Sequence, residues 1–149
     1  MMKKTILYLH LFLLCTGCVS QEQKDKKQIK DTVTKYWNAV KNNDLESYKH
    51  LFDDNGDFAG GIEADFHFLR KNYNEINSKN TLLENIKIKD TIVMFKQNKQ
   101  KYVQYIIKKE NDSNNFKKPL IITLMFYKPV GFDKIYNMAP LKNHIGWDK

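Results

Sequence analysis

Cysteine is almost absent from this chain of 149 residues: there are two, Cys15 and Cys18, both near the start. No disulfide can therefore staple the remainder, and hydrophobic burial must hold any fold it adopts. Arginine is rarer still, with Arg70 as the sole example among 25 basic residues. A nucleic-acid reader would more often use Arg, whose planar fork grips phosphates and guanines, so a lysine-based charge points away from that role. Proline (3) and glycine (6) are scarce, and no Pro/Gly-rich linker divides the chain into blocks. Nor is there a long apolar run. The longest early one, Ile6–Leu14, is interrupted by His10, and about nine residues cannot cross a hydrocarbon core that takes roughly 20 in a helix.

That short run sits in a recognisable order. Lys3 and Lys4 form a basic head, the apolar run follows, and Thr16-Gly17 places small residues just before Cys18. The sequence MMKKTILYLHLFLLCTGC is thus read as a secretory signal. Its end resembles the bacterial lipobox, in which the cysteine after the cleavage point is lipidated and becomes the first mature residue. One position departs from that pattern: Cys15 stands where leucine is usual, with Leu14 one place too early. The resemblance implies a signal peptide over 1–17, lipid on Cys18, and a protein anchored to a membrane of the bacterial cell envelope. Val19 follows the cysteine in place of the aspartate that retains some lipoproteins at the inner membrane, which points to the outer membrane if the envelope has one.

Removing 1–17 leaves 132 residues, a size at which one domain buries about two thirds of its unfolded surface. Two lysines leave with the signal, so 23 basic residues face 17 acidic ones, a balance of +6. Residues 18–27 are polar, with no apolar period, and are expected to form a tether from the lipidated cysteine. A single domain is expected over 28–141, followed by a polar tail, 142–149.

Within the domain the pattern is first helical. Ile29, Val33, Tyr36, Trp37 and Val40 make one stripe, ended by Asn42-Asn43-Asp44. Asn43 with Glu46 has capping-box spacing and opens a short helix through Leu45, Tyr48, Leu51 and Phe52. Asp53 to Gly56 is turn chemistry, and Ala64–Ile76 is a third helix presenting Phe66, Leu69, Tyr73 and Ile76. The period then becomes two. Ile86, Ile88, Ile92 and Met94 alternate; so do Val103, Tyr105 and Ile107, with Gln97–Gln100 as the hairpin connection. Leu120–Tyr127 is apolar on both faces, and Asp133–Ala139 is a last strand. Helices followed by about four antiparallel strands predict an α+β fold with the helices on one sheet face.

The stretch VTKYWNAVKNNDLESYKHLFDDN and this element order resemble the nuclear-transport-factor-two-like domains, a cystatin-like cone of curved sheet around a long helix. The shared rhythm is a polar break followed by Leu45, Tyr48, Leu51 and Phe52, and the likeness covers roughly 28–141. It implies a concave space between sheet and helices, used by some members for catalysis and by many for binding or dimer formation.

Candidate chemistry is sparse. Asp90 interrupts the row Ile86, Ile88, Ile92, Met94, so an unbroken strand would aim its carboxylate at the apolar face and raise its pKa, as a general base requires. Isomerases of the resembled superfamily use a pocket aspartate in this way, and Tyr127 would be the hydrogen-bond donor. The competing reading is a bulge or turn that sends Asp90 to water. Glu63 with His67, and His50 with Asp54, have the i,i+4 spacing of metal ligands, with Asp65 between the first two. Glu63 lies beside the helix start, where a carboxylate suits the dipole, so capping and a solvated histidine account for them and no metal is expected. An EF-hand starting at Asp53 fails because Phe58 and Ala64 stand where glycine and a bidentate acid are needed. There is no nucleophile elbow and no phosphate-cradling glycine loop, so no cofactor is expected. Aromatic residues are plentiful, and Trp37, Tyr105, Phe126 and Tyr127 are candidate lining for an amphipathic ligand's pocket. The expected role is a non-catalytic envelope lipoprotein binding a small apolar ligand or a protein partner, a second copy included. The alternative is a small isomerase or dehydratase-like enzyme.

Overall fold

A computed structural model describes residues 20–53, 59–93, 98–108, 120–136 and 141–142. Helix α1 spans Gln21–Asn42 and starts earlier than the apolar stripe alone requires. Its first turn is fixed by a capping box: the Ser20 hydroxyl accepts from the Gln23 N–H at 3.2 Å, and Gln23 Oε1 accepts from the Ser20 N–H at 3.3 Å. Residues 21–27, expected to be an irregular tether, are therefore helical. The helix ends at Asn43, in the left-handed region at φ 59°, whose N–H reaches back to the carbonyls of Ala39 and Val40. Asn43 thus closes α1, and Asp44 caps α2 (Leu45–Lys49) by accepting from the Ser47 N–H at 3.0 Å. The cap expected at Asn43 falls instead on Asp44, and among the described residues no reciprocal bond from residue 46 completes a box. The turn at Asp53–Gly56 falls, after Asp53, outside the described residues.

The expected third helix is two. Helix α3 covers Ala59–Lys71 and α4 covers Tyr73–Asn80. Between them the Asn72 side chain bonds back to the Phe68 carbonyl at 2.7 Å, the self-bonding that makes Asn a poor interior residue. The buried side is the expected one, with Phe66, Leu69, Tyr73 and Ile76 all inside.

Three antiparallel strands follow in the order β1 (Lys89–Val93), β2 (Asn98–Lys108), β3 (Leu120–Phe126). Leu141–Lys142 adds a two-residue pairing to the far edge of β3. Asn98–Gln100, expected in the hairpin connection, belong to β2, while Ile86 and Ile88 precede β1 and pack against the core. Asp133–Ile135 do not form the expected last strand. A turn at 127–131, with Gly131 at φ 104°, redirects the chain so that Ile135 makes an isolated parallel bridge to Phe52. Ile135 donates to Leu51 O at 2.7 Å, and Asp53 donates to Ile135 O at 3.0 Å. The fold is α+β.

The strand periods place the core. Val103, Tyr105 and Ile107 on β2 and Ile122, Leu124 and Phe126 on β3 face the helices. The α1 stripe, led by Trp37 and Tyr36 with no exposed surface, lies among them. The other face of β3 (Ile121, Thr123, Met125) is buried as well, matching its two-sided apolar sequence. Thr32 secures α1 to the 127–135 segment by donating to the Phe132 carbonyl at 2.8 Å.

Candidate functional site

The aromatic interior is filled by its own side chains. Trp37 meets Tyr105 edge-on, with centroids 5.2 Å apart and planes at 90°, and Tyr36 at 5.0 Å and 89°. Such perpendicular pairs match ring edge to ring face. Tyr36 and Tyr48 share a hydrogen bond between hydroxyls 3.0 Å apart, and Tyr105 donates to the Leu82 carbonyl at 3.3 Å. The Trp37 Nε1–H is buried and has no hydrogen-bond acceptor among the described residues. Burial pushes the Tyr36 hydroxyl well above the usual tyrosine range and raises that of Tyr48, while Tyr105 is pushed up to about 12. The negative charge of Asp65, half-buried on α3, adds to the rise at both Tyr36 and Tyr48.

Of the four candidate pocket residues, Trp37, Tyr105 and Phe126 are core packing, with exposures of 0, 3 and 0%. Tyr127 lies just past the end of β3 and packs on Tyr136 with centroids 5.4 Å apart. The structure does not gather the four into an open site.

Asp90 shares the strand face of Val103 and Tyr105, as the alternation implied, but of the helices only the exposed first turn of α1 comes near it. Its side chain is 73% exposed and accepts from Lys101 Nζ, its register partner on β2, at 2.6 Å. An exposed carboxylate satisfied by a lysine lacks the desolvation that a pocket general base needs, so the expected acid–base role finds no support in its surroundings. The nearest charges on α1 are Glu22 and Lys26, themselves paired at 2.6 Å. Lys26 holds the Glu22 carboxyl below its ordinary range, mainly through their hydrogen bond; Lys101 reinforces the effect and Asp90 opposes it.

The i,i+4 pairs are surface features. Glu63 lies 3.7 Å from His67 and 3.4 Å from Lys49. The His50 carbonyl accepts from Lys134, and Asp54 falls outside the described residues. No cluster of three or more His, Cys, Asp or Glu able to hold a metal forms among the described residues.

Open grooves lie at the surface of the described residues. One, about 340 Å³, lies between α1 and α2 and is lined by polar side chains including Asn38, Asn42, Ser47 and His50. Another, about 540 Å³, lies between the first turn of α1 and the β1–β2 hairpin, lined by Glu22, Asp90, Thr91, Ile92, Lys99 and Lys101. Alternation placed Asp90 and Ile92 on one face but gave no sign that Glu22 would join them, since that required α1 to begin at Gln21. Comparison with protein-family models, with curated proteins and with solved structures finds no match.

Proposed function

We propose that this chain is a lipid-anchored protein of the bacterial envelope, held at the membrane by acyl chains on Cys18, whose α+β domain binds a partner without catalysing a reaction. The observation that carries the reading is the start of α1. Ser20 caps a helix that runs without a break from Gln21, three residues after Cys18, into the core. A lipidated cysteine there would grip the domain through a helical stalk, and two or more acyl chains would anchor it stably where one would not. The packed interior around Trp37 and Tyr105 favours recognition at the outer surface over a ligand in the core. For the fold, helices first and an antiparallel meander after them support a nuclear-transport-factor-two-like relationship.

Metabolic labelling with palmitate tests the anchor. The protein should incorporate the label and sediment with membranes, and Cys18→Ala should lose both properties. A Cys18→Ala protein that stays labelled and membrane-bound would refute the reading.

A further inference from the structure

The first two turns of α1, Gln21–Gln28, contribute no buried side chain, and the buried stripe begins only at Ile29. These eight residues form a stalk about 12 Å long. The β1–β2 hairpin accompanies it: the groove that contains Glu22 also contains Thr91, Ile92 and Lys99. Ile92 and Lys99 are register partners, and Ile92, 60% exposed, is the most exposed large apolar side chain among the described residues. Glu22 is matched by Lys26, and Asp90 by Lys101. That leaves Lys99 as the one charge of the groove without an ion-pair partner among the described residues.

Cys18 is two residues from Ser20, a span of at most about 7 Å. Resting on the lipid-anchor reading above, we propose that the open end of this groove is a bilayer-docking surface, with Ile92 set into the headgroup layer and Lys99 against the phosphates of anionic phospholipids. The anchor's length places the hairpin end at that depth. An exposed isoleucine opposite an unmatched lysine is the pairing an anionic interface accepts, with apolar surface entering the headgroup boundary and the ammonium remaining at the phosphates. The anchor and the groove together would then fix how the domain stands on the membrane, with the 340 Å³ groove near Asn42 turned away, about 30 Å along α1.

The test uses the full lipidated protein in vesicles of phosphatidylethanolamine with a minor share of phosphatidylglycerol. Ile92→Cys or Lys41→Cys supplies the only free thiol, because Cys18 is acylated and Cys15 leaves with the signal. Each is labelled with an environment-sensitive fluorophore, and both positions are exposed, so folding is preserved. A blue shift at 92, with quenching by headgroup nitroxide lipids, and no such change at 41 is the expected result. Solvent-like emission at both positions in protein that remains vesicle-bound would overturn the docking surface while leaving the anchor intact. Protein that does not associate with vesicles at all would overturn the anchor reading and this inference with it. Shielding of the label at 92 in unlipidated Cys18→Ala protein, free in buffer without vesicles or detergent, would indicate a second copy and would also overturn it.

Discussion

The side-chain amide of Asn80 pairs with the backbone of Ile106 as a neighbouring strand would. Asn80 Nδ2 donates to the Ile106 carbonyl at 2.8 Å, and Asn80 Oδ1 accepts from the Ile106 N–H at 3.0 Å. The β1 register ends at Lys89↔Tyr102, so this edge of β2 continues past β1, and Asn80 covers it at the end of α4. Unpaired strand edges invite association with other chains, and here one side chain occupies the site. The same Nδ2 also bonds the Ile76 carbonyl at 2.9 Å, tying the helix end to the sheet.

Asn80→Ala should therefore destabilise the protein by about 0.5–1.5 kcal/mol, the usual net worth of a hydrogen bond whose partners water can reach. Amide hydrogen exchange should accelerate at Ile106 more than at Val103. Unchanged exchange at Ile106 would show that the pairing is not formed in solution.

Tyr36 and Tyr48 form the second polar pair, buried between α1 and α2. Tyr36→Phe or Tyr48→Phe leaves one hydroxyl alone, at about 1–3 kcal/mol each, whereas the double substitution removes both and should cost less than the sum. Strict additivity would contradict the pairing.

The same burial predicts loss of stability in alkali. Tyr36, Tyr48 and Tyr105 have folded pKa values raised above the ordinary 10. The unfolded chain therefore releases protons first as pH rises. Stability is fully present below about pH 10 and falls above it, by up to about 1.4 kcal/mol per pH unit for each such group until its folded pKa is reached. Denaturant midpoints measured from neutral pH to pH 12 should fall only above 10, and Tyr105→Phe should flatten the fall.

Trp37→Ala should cost about 3–5 kcal/mol, a large part of a domain's roughly 5–15 kcal/mol. Trp37→Phe, which keeps an edge-on ring against Tyr105, should cost less. Equal loss from the two in thermal melts would mean that the indole's volume is not what holds α1 to the sheet. Trp147, in the polar tail, lies outside the described residues.

Asp90→Asn should shift stability by no more than about 1 kcal/mol, since exposed ion pairs are worth little. A loss of several kcal/mol would contradict its surface position.

These residues show how far the sequence could be read. The α1 stripe, the alternation of Val103, Tyr105 and Ile107 and the two-sided burial of β3 were legible, because period reports which face a residue takes. Asp90 shows the limit: period gave its face correctly but not the extent of the helices covering that face. The start of α1 was missed because Ser20 and Gln23 form a capping box before polar residues, where no apolar period follows to mark a helix. Asn43 and Asp44 are both good capping types, and only the left-handed backbone at Asn43 decides that one closes α1 while the other opens α2. The Phe52–Ile135 bridge was unreadable, because a single parallel contact between distant segments leaves no periodic trace. Both grooves are made by neighbouring elements, so neither has a motif.

We propose that Cys18 anchors a domain whose first helix begins three residues later, at Gln21. Intact-mass and N-terminal peptide analysis of the mature protein tests this most directly. The mature chain should begin at Cys18 and carry a diacylglyceryl mass on that residue. A mature chain with an unmodified Cys18, or one cleaved at another position, would contradict it.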